Sequence, residues 1–134
     1  MLNKAGLPFQ LIVAALLANS VIDEKLDAFV RRYRRGLVNS LLEYLILSYL
    51  ESETLCGYDI ISILHDRFHV LLSPGQVYPV INYLVTHNLV SKQKDRRRVS
   101  LQLTSAGNSL LKAWRQELGS IQVQLNNRTI IAEY

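Results

Sequence analysis

The sequence predicts a mainly α-helical fold with one small β-hairpin. Apolar residues recur at helical spacing in several separate stretches, and one late segment alternates strictly between apolar and polar residues. Turn and cap residues separate these stretches. The chain has 134 residues, of which 49% are hydrophobic and 19% charged. It can therefore bury one core of ordinary size and is too apolar to be disordered.

The first stretch, residues 7–22, is the most apolar part of the chain. It is too short and too interrupted for a membrane span, which needs about 20 apolar residues. We expect a helix that is buried or bound to a second subunit, continuing at helical spacing through Leu26, Phe29 and Val30. A secretory signal peptide is the alternative, since one basic residue, Lys4, precedes the apolar run.

Two further helices are predicted in the next part of the chain. Gly36 either ends the first helix or lies inside a longer one. The segment Leu37–Leu50 is apolar on nearly all sides, which is typical of a central helix. Another helix is predicted from about Gly57 to Phe68, with Ile60, Ile61, Leu64 and Phe68 on its inward face.

A well-marked helix start follows at Ser73. Ser73 can cap the helix, Pro74 suits its first position, and Gln76 completes a capping box. The helix is predicted to run to about His87. Its inward residues are Val77, Val80, Ile81 and Leu84, and its outward residues are Gln76, Tyr78, Asn82 and Tyr83.

The pattern then changes to that of a hairpin and a last helix. Leu89–Ser91 begins a strand, and Val99–Leu103 is its partner, with Asp95 in the turn between them. Thr104 or Ser105 caps the last helix. Its apolar residues have coiled-coil-like spacing and are Leu110, Trp114, Leu118, Ile121 and Leu125. This seam favours a helix that pairs with another helix, and a helix that folds back on its own domain is the alternative.

The formal net charge of +4 is unevenly distributed. Residues 1–35 carry +3, residues 36–90 carry −4 and residues 91–134 carry +5. Nine of the 15 basic residues form two clusters, which are Arg31, Arg32, Arg34 and Arg35, and Lys92, Lys94, Arg96, Arg97 and Arg98. Such clusters are typical of a phosphate-binding surface, although on charge alone a solvated basic face is an equal alternative.

The order of these elements is that of a winged helix-turn-helix with extra N- and C-terminal helices. A capped helix of this size fits the major groove of DNA, about 12 Å wide. The basic hairpin tip, the wing, can then reach the flanking phosphates or the minor groove. Phosphate contacts would fix the position of the protein on DNA, and polar side chains of the groove helix would read bases.

The segment from about Arg35 to Leu118 resembles the PadR-like family of winged-helix transcriptional regulators. Three separated motifs carry this resemblance. They are Gly57-Tyr58-Asp59-Ile60, Ser73-Pro74-Gly75-Gln76-Val77-Tyr78-Pro79 with Tyr83-Leu84 and Asn88-Leu89-Val90 after it, and Arg96-Arg97-Arg98 leading into Leu103-Thr104-Ser105-Ala106-Gly107. The resemblance implies DNA binding as a homodimer, usually as a repressor and sometimes relieved by a small-molecule effector.

The resemblance and the charge clusters together define a candidate DNA-binding site. The groove-helix residues are Ser73, Gln76, Tyr78, Asn82 and Tyr83, the wing residues are Lys92, Lys94, Arg96, Arg97 and Arg98, and the residues of the basic arm are Arg31, Arg32, Arg34 and Arg35. The groove helix contains no Lys or Arg, so it lacks the side chain that most often reads guanine. Asn82 or Gln76 could read adenine instead, or DNA shape could supply specificity.

We expect three functional parts along the chain. Residues 1–35 form an N-terminal dimerisation helix and basic arm, residues 36–104 the winged helix-turn-helix, and residues 105–134 a C-terminal dimerisation helix and tail. The expected dimer contacts are Leu11, Leu16, Leu110, Trp114, Leu118, Ile121 and Leu125. The expected partners are double-stranded DNA and a second copy of the chain, in the cytoplasm and without a membrane. Chain size and the added N-terminal helix also resemble clock-related members of the family, which suggests a link to biological rhythms.

The main alternative is a winged-helix module that docks a protein partner and does not read DNA. The uncharged groove helix and the acidic middle of the chain favour this alternative. A third hypothesis is a secreted or membrane-tethered protein whose first 20 residues are an address.

Other chemistry has little support in the sequence. It contains no Ser/His/Asp set, no Gly-rich phosphate loop and no paired-carboxylate cleft, so we expect neither an enzyme nor a cofactor. His65 and His69 lie one helical turn apart, but we expect surface histidines rather than metal ligands. The single cysteine, Cys56, excludes a disulfide within the chain and is expected to be buried. Tyr58 is expected to pack, and Trp114 to be structural.

Overall fold

The computed structural model describes Gln10, Leu11 and residues 20–127. Leu16, most of the apolar first stretch and the tail after residue 127 lie outside the described residues, so the predictions made for them stay predictions. The chain divides into two units, Met1–Leu37 and Val38–Tyr134. The described elements are α1 (Ser20–Ser40), α2 (Leu42–Ser52), α3 (Gly57–Phe68), α4 (Pro74–Thr86), β1 (Val90–Asp95), β2 (Arg98–Leu103) and α5 (Ser105–Asn126). The predicted class, helices with one antiparallel hairpin, is confirmed.

Of the two alternatives for Gly36, the structure shows the longer helix, because Gly36 lies inside α1 and does not end it. Its apolar residues Leu26, Phe29 and Val30 are all exposed in the single chain. No helix of the described chain is long and apolar enough to cross a membrane.

The central helix α2 begins later than predicted. The prediction that it starts at Leu37 is wrong, because Leu41 leaves the helical conformation and separates α1 from α2. Leu37 therefore belongs to α1, where it is largely exposed. The interior of α2 is as apolar as expected, and its buried residues are Leu42, Ile46, Leu47, Tyr49 and Leu50.

The next two helices follow the prediction closely. Helix α3 has the predicted bounds, and its Ile60 and Leu64 are fully buried. Helix α4 starts with the predicted capping box, in which the Ser73 N–H donates to Gln76 Oε1 at 3.0 Å. Val77, Ile81 and Leu84 face the core and Val80 packs against it, as predicted.

The hairpin differs from the prediction in the position of its turn. Strands β1 and β2 pair antiparallel from Val90↔Leu103 to Asp95↔Arg98, so Asp95 ends a strand and is not a turn residue. The turn is formed by Arg96 and Arg97, and Arg96 has φ = 53°. Two-residue hairpin turns need positive φ to match the twist of the strands, and Arg96 adopts it here.

The base of the hairpin is tied to both flanking helices. The Leu89 N–H donates to the Leu84 carbonyl at the end of α4 (2.9 Å), and the Leu89 carbonyl accepts from the Thr104 N–H (3.2 Å). The Thr104 hydroxyl lies 2.7 Å from the Asn88 carbonyl and accepts from the Gly107 N–H (3.0 Å), which caps α5. Of the two predicted caps, Thr104 is therefore the one that forms.

Helix α5 packs on the core through a residue outside the predicted seam. Leu111 is fully buried, whereas Leu110, Trp114 and Leu118 are half-buried. Leu111 shares a face with Gly107, one helical turn earlier, which packs against the base of the hairpin. In the unit Val38–Tyr134, this contact settles which face of α5 points inward.

Gly107 is packed too closely against the base of the hairpin to accept a side chain. A Cβ at this position would overlap the Leu89 carbonyl oxygen and lie 2.8 Å from Leu103 Cδ1. We expect Gly107→Ala to lower the free energy of unfolding by about 2–3 kcal/mol, as overpacking usually does. Urea denaturation followed by circular dichroism measures the change.

Gly119 in the same helix is the matched control. A Cβ there would meet nothing within 4 Å. Gly119→Ala should be neutral or stabilise by about 0.5–1 kcal/mol, because alanine is the better helix residue. A gain in Gly107→Ala as large as that in Gly119→Ala would mean that helix propensity, and not contact with the hairpin, governs position 107.

Candidate nucleic-acid interface

The outward face of α4 is polar and carries no charge. The helix has 13 residues, none of which is Lys, Arg, Asp or Glu. Gln76, Asn82, Tyr83 and Thr86 are exposed on this face, together with Pro79. Such a surface offers neutral hydrogen-bond donors and acceptors and exerts little attraction on a distant charge.

The two amide side chains of α4 are in different states. Gln76 Oε1 accepts from the Ser73 N–H at 3.0 Å and lies 3.2 Å from Ser73 Oγ, so its acceptor is held in the cap. The Asn82 amide makes no hydrogen bond within the described part of the chain. Bidentate reading of adenine uses both the oxygen and the nitrogen of one amide. Asn82 has both free for it, and Gln76 has not.

Tyr78 is held in place by packing. Its ring is half-buried against the start of α3, where a Cβ at Gly57 would lie 2.7 Å from the ring. The Tyr58 ring meets it edge-on, with 6.1 Å between centroids. Burial, and the nearby Tyr58 and Cys56, raise the pKa of Tyr78, so its hydroxyl stays protonated.

Tyr58 itself is 67% exposed, so the prediction that it packs is wrong for most of its surface. It stands at the second position of α3, where its ring meets the Tyr78 ring edge-on. Tyr83 is 49% exposed, and its ring centroid lies 4.1 Å from that of His87.

The wing carries its basic residues on exposed positions of both strands and the turn. Lys92 and Lys94 lie in β1, not in a loop, and Arg96 and Arg97 form the turn. Arg98 differs from them because its Nη2 donates to Asp59 Oδ2 at 3.0 Å. In the sequence Asp59 stands out only as part of the motif Gly57-Tyr58-Asp59-Ile60, although an acidic residue three positions after Cys56 is a sign of a helix cap.

Asp59 joins the wing to the start of α3. Its Oδ2 also accepts from the Cys56 N–H at 2.9 Å, which caps the helix. Hydrogen bonds from Cys56, and then the Arg98 guanidinium, hold the pKa of Asp59 below its usual range. The carboxylate is therefore charged near neutral pH.

The structure brings part of the predicted site together around one cavity of about 480 Å³. Tyr78 of the groove helix lies there with Lys92, Arg97 and Arg98 of the wing. The remaining lining residues are Cys56, Gly57, Tyr58, Asp59, Ile81, Val99 and Leu101. Asn82, Lys94 and Arg96 do not line this cavity.

The basic arm lies in the other unit, Met1–Leu37. Arg31, Arg32, Arg34 and Arg35 are all exposed on α1. Among the predicted dimer contacts that the structure describes, Leu11, Ile121 and Leu125 are exposed, the last by 79%.

The other candidate chemistry remains without a site in the described residues. His65 and His69 are exposed, and no group of His, Cys, Asp and Glu within the described ranges could hold a metal ion. Cys56 is half-buried, less than the expected small core residue. Trp114 packs against the core, as expected for a structural residue.

The model of the PadR-like transcriptional regulator family matches residues 46–113, half of the chain, which includes α3, α4 and the hairpin. The chain belongs to the PadR-like family. No relative was found among the curated proteins.

Solved PadR-like structures have the same fold. A PadR family regulator from Clostridium difficile is 25% identical with a TM-score of 0.60, and the match covers 64% of this chain and 95% of that one. A PadR-like regulator from Bacillus cereus is 23% identical, with a TM-score of 0.63 and coverage of 69% and 94%. Bacillus subtilis PadR, solved in complex with operator DNA, is 26% identical with a TM-score of 0.50 over 55% of this chain and 46% of that one.

Gln76 and Asn82 should differ in their contribution to the stability of α4, because only Gln76 takes part in the cap. We expect Gln76→Ala to lower the free energy of unfolding by about 1 kcal/mol, because the cap of α4 loses its reciprocal bond. Asn82→Ala should be neutral or slightly stabilising, since Ala is the better helix former. Thermal and urea denaturation of both variants measure the difference. A loss in Asn82→Ala as large as that in Gln76→Ala would assign Asn82 a structural role.

Proposed function

We propose that this PadR-like regulator is a homodimeric, sequence-specific double-stranded DNA-binding protein that represses transcription. The observation that carries the proposal is the uncharged polar face of α4 beside a hairpin with exposed basic residues on both strands and its turn. A family member solved with operator DNA supports it. The cytoplasm is the proposed place of action because DNA is the proposed partner.

In this proposal the wing and the basic arm supply affinity. Lys92, Lys94, Arg96 and Arg97 would release counterions from the phosphate backbone, as would the arginines of the arm, Arg31, Arg32, Arg34 and Arg35. Arg96 occupies a backbone conformation with φ = 53°, which glycine or asparagine adopts at lower cost. A cationic side chain in that place is a cost to the fold, and a phosphate contact explains it.

Specificity comes from α4. Asn82 would read adenine through its free amide, with a discrimination of about 1–3 kcal/mol against other bases. Ser73, Gln76, Tyr78 and Tyr83 flank it, and they can position α4 on the backbone through hydroxyl and amide donors. The absence of Lys and Arg from α4 favours an A·T-rich operator or one read by its shape.

The homodimer is proposed from exposed apolar residues. Ile121 and Leu125 lie at the end of α5, and Leu26 and Phe29 lie on α1, all exposed in the single chain. Exposed apolar surface of this kind marks an interface. The seam residues Leu110, Trp114 and Leu118 would extend that contact, as would Leu11 and the undescribed Leu16. A dimer would hold two groove helices one DNA turn apart, about 34–36 Å.

Repression follows from the proposed geometry, since a dimer on an operator obstructs access to a promoter. A small-molecule effector and a link to biological rhythms are finer proposals that rest on the sequence resemblance. The rhythm proposal depends on chain size and an N-terminal helix, most of which lies outside the described residues. A promoter–reporter assay in cells with and without the gene tests repression.

Selection of bound sites from a random DNA pool tests the proposal most directly. We expect a palindromic site with a fixed half-site spacing, which would establish both the function and the symmetry of the dimer. Asn82→Ala should still select DNA and should lose preference for adenine at one position per half-site. Equal weakening on every sequence would contradict a reading role for Asn82.

The turn arginines give a further prediction, with a matched pair of variants. Arg96→Asn and Arg97→Asn each remove one charge and should each reduce the slope of log affinity against log salt by about 0.9. Only Arg96→Asn should also keep or raise the free energy of unfolding, because asparagine tolerates positive φ. Fluorescence anisotropy at several salt concentrations and urea denaturation measure the two effects.

The same titration distinguishes DNA binding from the protein-docking alternative. That alternative is favoured by the uncharged α4, which would suit a protein partner as well as DNA. A well-folded dimer that binds no duplex DNA at low salt would overturn the proposed function. An unchanged salt slope in both arginine variants would mean that the turn of the wing does not contact the phosphates.

A further inference from the structure

We propose that Asp59 is the positioning residue of the wing. In this inference Asp59 holds Arg98, and through it the basic turn, in the orientation that meets DNA. Arg98 then acts as an anchor and not as a phosphate ligand, although it is one of three consecutive arginines. The inference rests on the proposed function, and it includes an acidic residue in a site that is otherwise basic.

The anchor is built from both ends. Arg98 is the first residue of β2, directly after the turn, and its Nη2 lies 3.0 Å from Asp59 Oδ2. Asp59 lies in the first turn of α3, where its Oδ2 also accepts from the Cys56 N–H at 2.9 Å. The cap fixes the carboxylate, and the carboxylate fixes the guanidinium. The contact joins residues 39 positions apart in the chain.

The outer part of the hairpin has need of such an anchor. Its base is held by buried Val90 and Leu101 and by the bridge between Leu55 and Leu101. From Lys92 to the turn, by contrast, every residue of β1 is exposed. Among the described residues, the pair of Arg98 and Asp59 is the only ion pair that joins the hairpin to a helix.

Stability does not account for this pair. The Arg98 and Asp59 side chains are 67% and 37% exposed, and exposed ion pairs contribute little to the free energy of folding. Charge complementarity to DNA does not account for Asp59 either, because an acidic residue beside a phosphate-binding surface repels DNA. A geometric role explains why an acidic residue lines the cavity that the wing and α4 share.

The sign of one substitution separates the two roles of Asp59. Asp59→Asn replaces the ion pair with Arg98 by at most a weaker neutral hydrogen bond, and it keeps an oxygen that can accept from the Cys56 N–H, so α3 remains capped. If Asp59 contributes only charge, the variant binds DNA more tightly. If Asp59 positions the wing, the variant binds more weakly, by about two- to tenfold for coupled residues in contact.

The experiment titrates the selected DNA site with full-length protein by fluorescence anisotropy at several salt concentrations. It compares the wild type with Asp59→Asn, Arg98→Gln, the double variant, and Asp95→Asn as the control acid in the same wing. We expect Asp59→Asn to weaken binding and Asp95→Asn to leave it unchanged or tighten it. Arg98→Gln should weaken binding without reducing the salt slope. The double variant should bind DNA at least as tightly as the single variant with the lower affinity.

A second measurement needs no DNA. Hydrogen–deuterium exchange of the free protein should show faster exchange in residues 93–99 for Asp59→Asn than for the wild type or Asp95→Asn. Unchanged exchange there overturns the inference even if the wild type binds DNA. Tighter binding by Asp59→Asn, or a slope reduced by about 0.9 in Arg98→Gln, also overturns it. Failure of the wild type to bind any duplex refutes the proposed function and leaves the exchange result to decide the anchor.

Discussion

The hydrogen bonds and packing at Leu89 are the constraint on which the rest of the fold depends. The Leu89 N–H closes the end of α4, and the Leu89 carbonyl accepts from Thr104, the cap of α5. Gly107 packs on the same carbonyl, so close that no side chain fits between them. The groove helix, the hairpin and the last helix therefore meet at one point, which sets the wing beside α4.

The tip of the wing is under a different constraint from its base. Exposed strand residues and a positively charged turn contribute little burial, so under the inference drawn above the orientation of the outer hairpin depends on its strand hydrogen bonds and on Asp59. Arg96 at φ = 53° and an acid inside a basic surface are both unfavourable when considered alone. Under the proposed function a phosphate contact would explain Arg96 at the turn, and the positioning of Arg98 would explain Asp59, while the well-packed base of the hairpin offsets the cost.

Local chemistry decides how much of this could be predicted from the sequence. The capping box of Ser73 and Gln76, the bounds of α3 and the inward face of α4 depend on neighbours in the chain, and they were predicted. Leu41 between two helices, the turn at Arg96 and the burial of Leu111 depend on tertiary packing and strand twist, which no spacing reveals. For the same reason the sequence predicts the role of Gln76 in the cap of α4, whereas it does not predict the partner of Arg98, which is 39 residues away.

The separation of charge has a consequence for recognition under the proposed function. Salt weakens contacts between charges, and the described basic residues of the proposed interface lie on the wing and the arm and none on α4. Hydrogen bonds from a neutral amide such as Asn82 are nearly insensitive to salt. Affinity for all DNA then falls together as ionic strength rises, while the ratio between the operator and other sequences is retained. A charged reading helix would couple these two quantities, and an uncharged one keeps them apart.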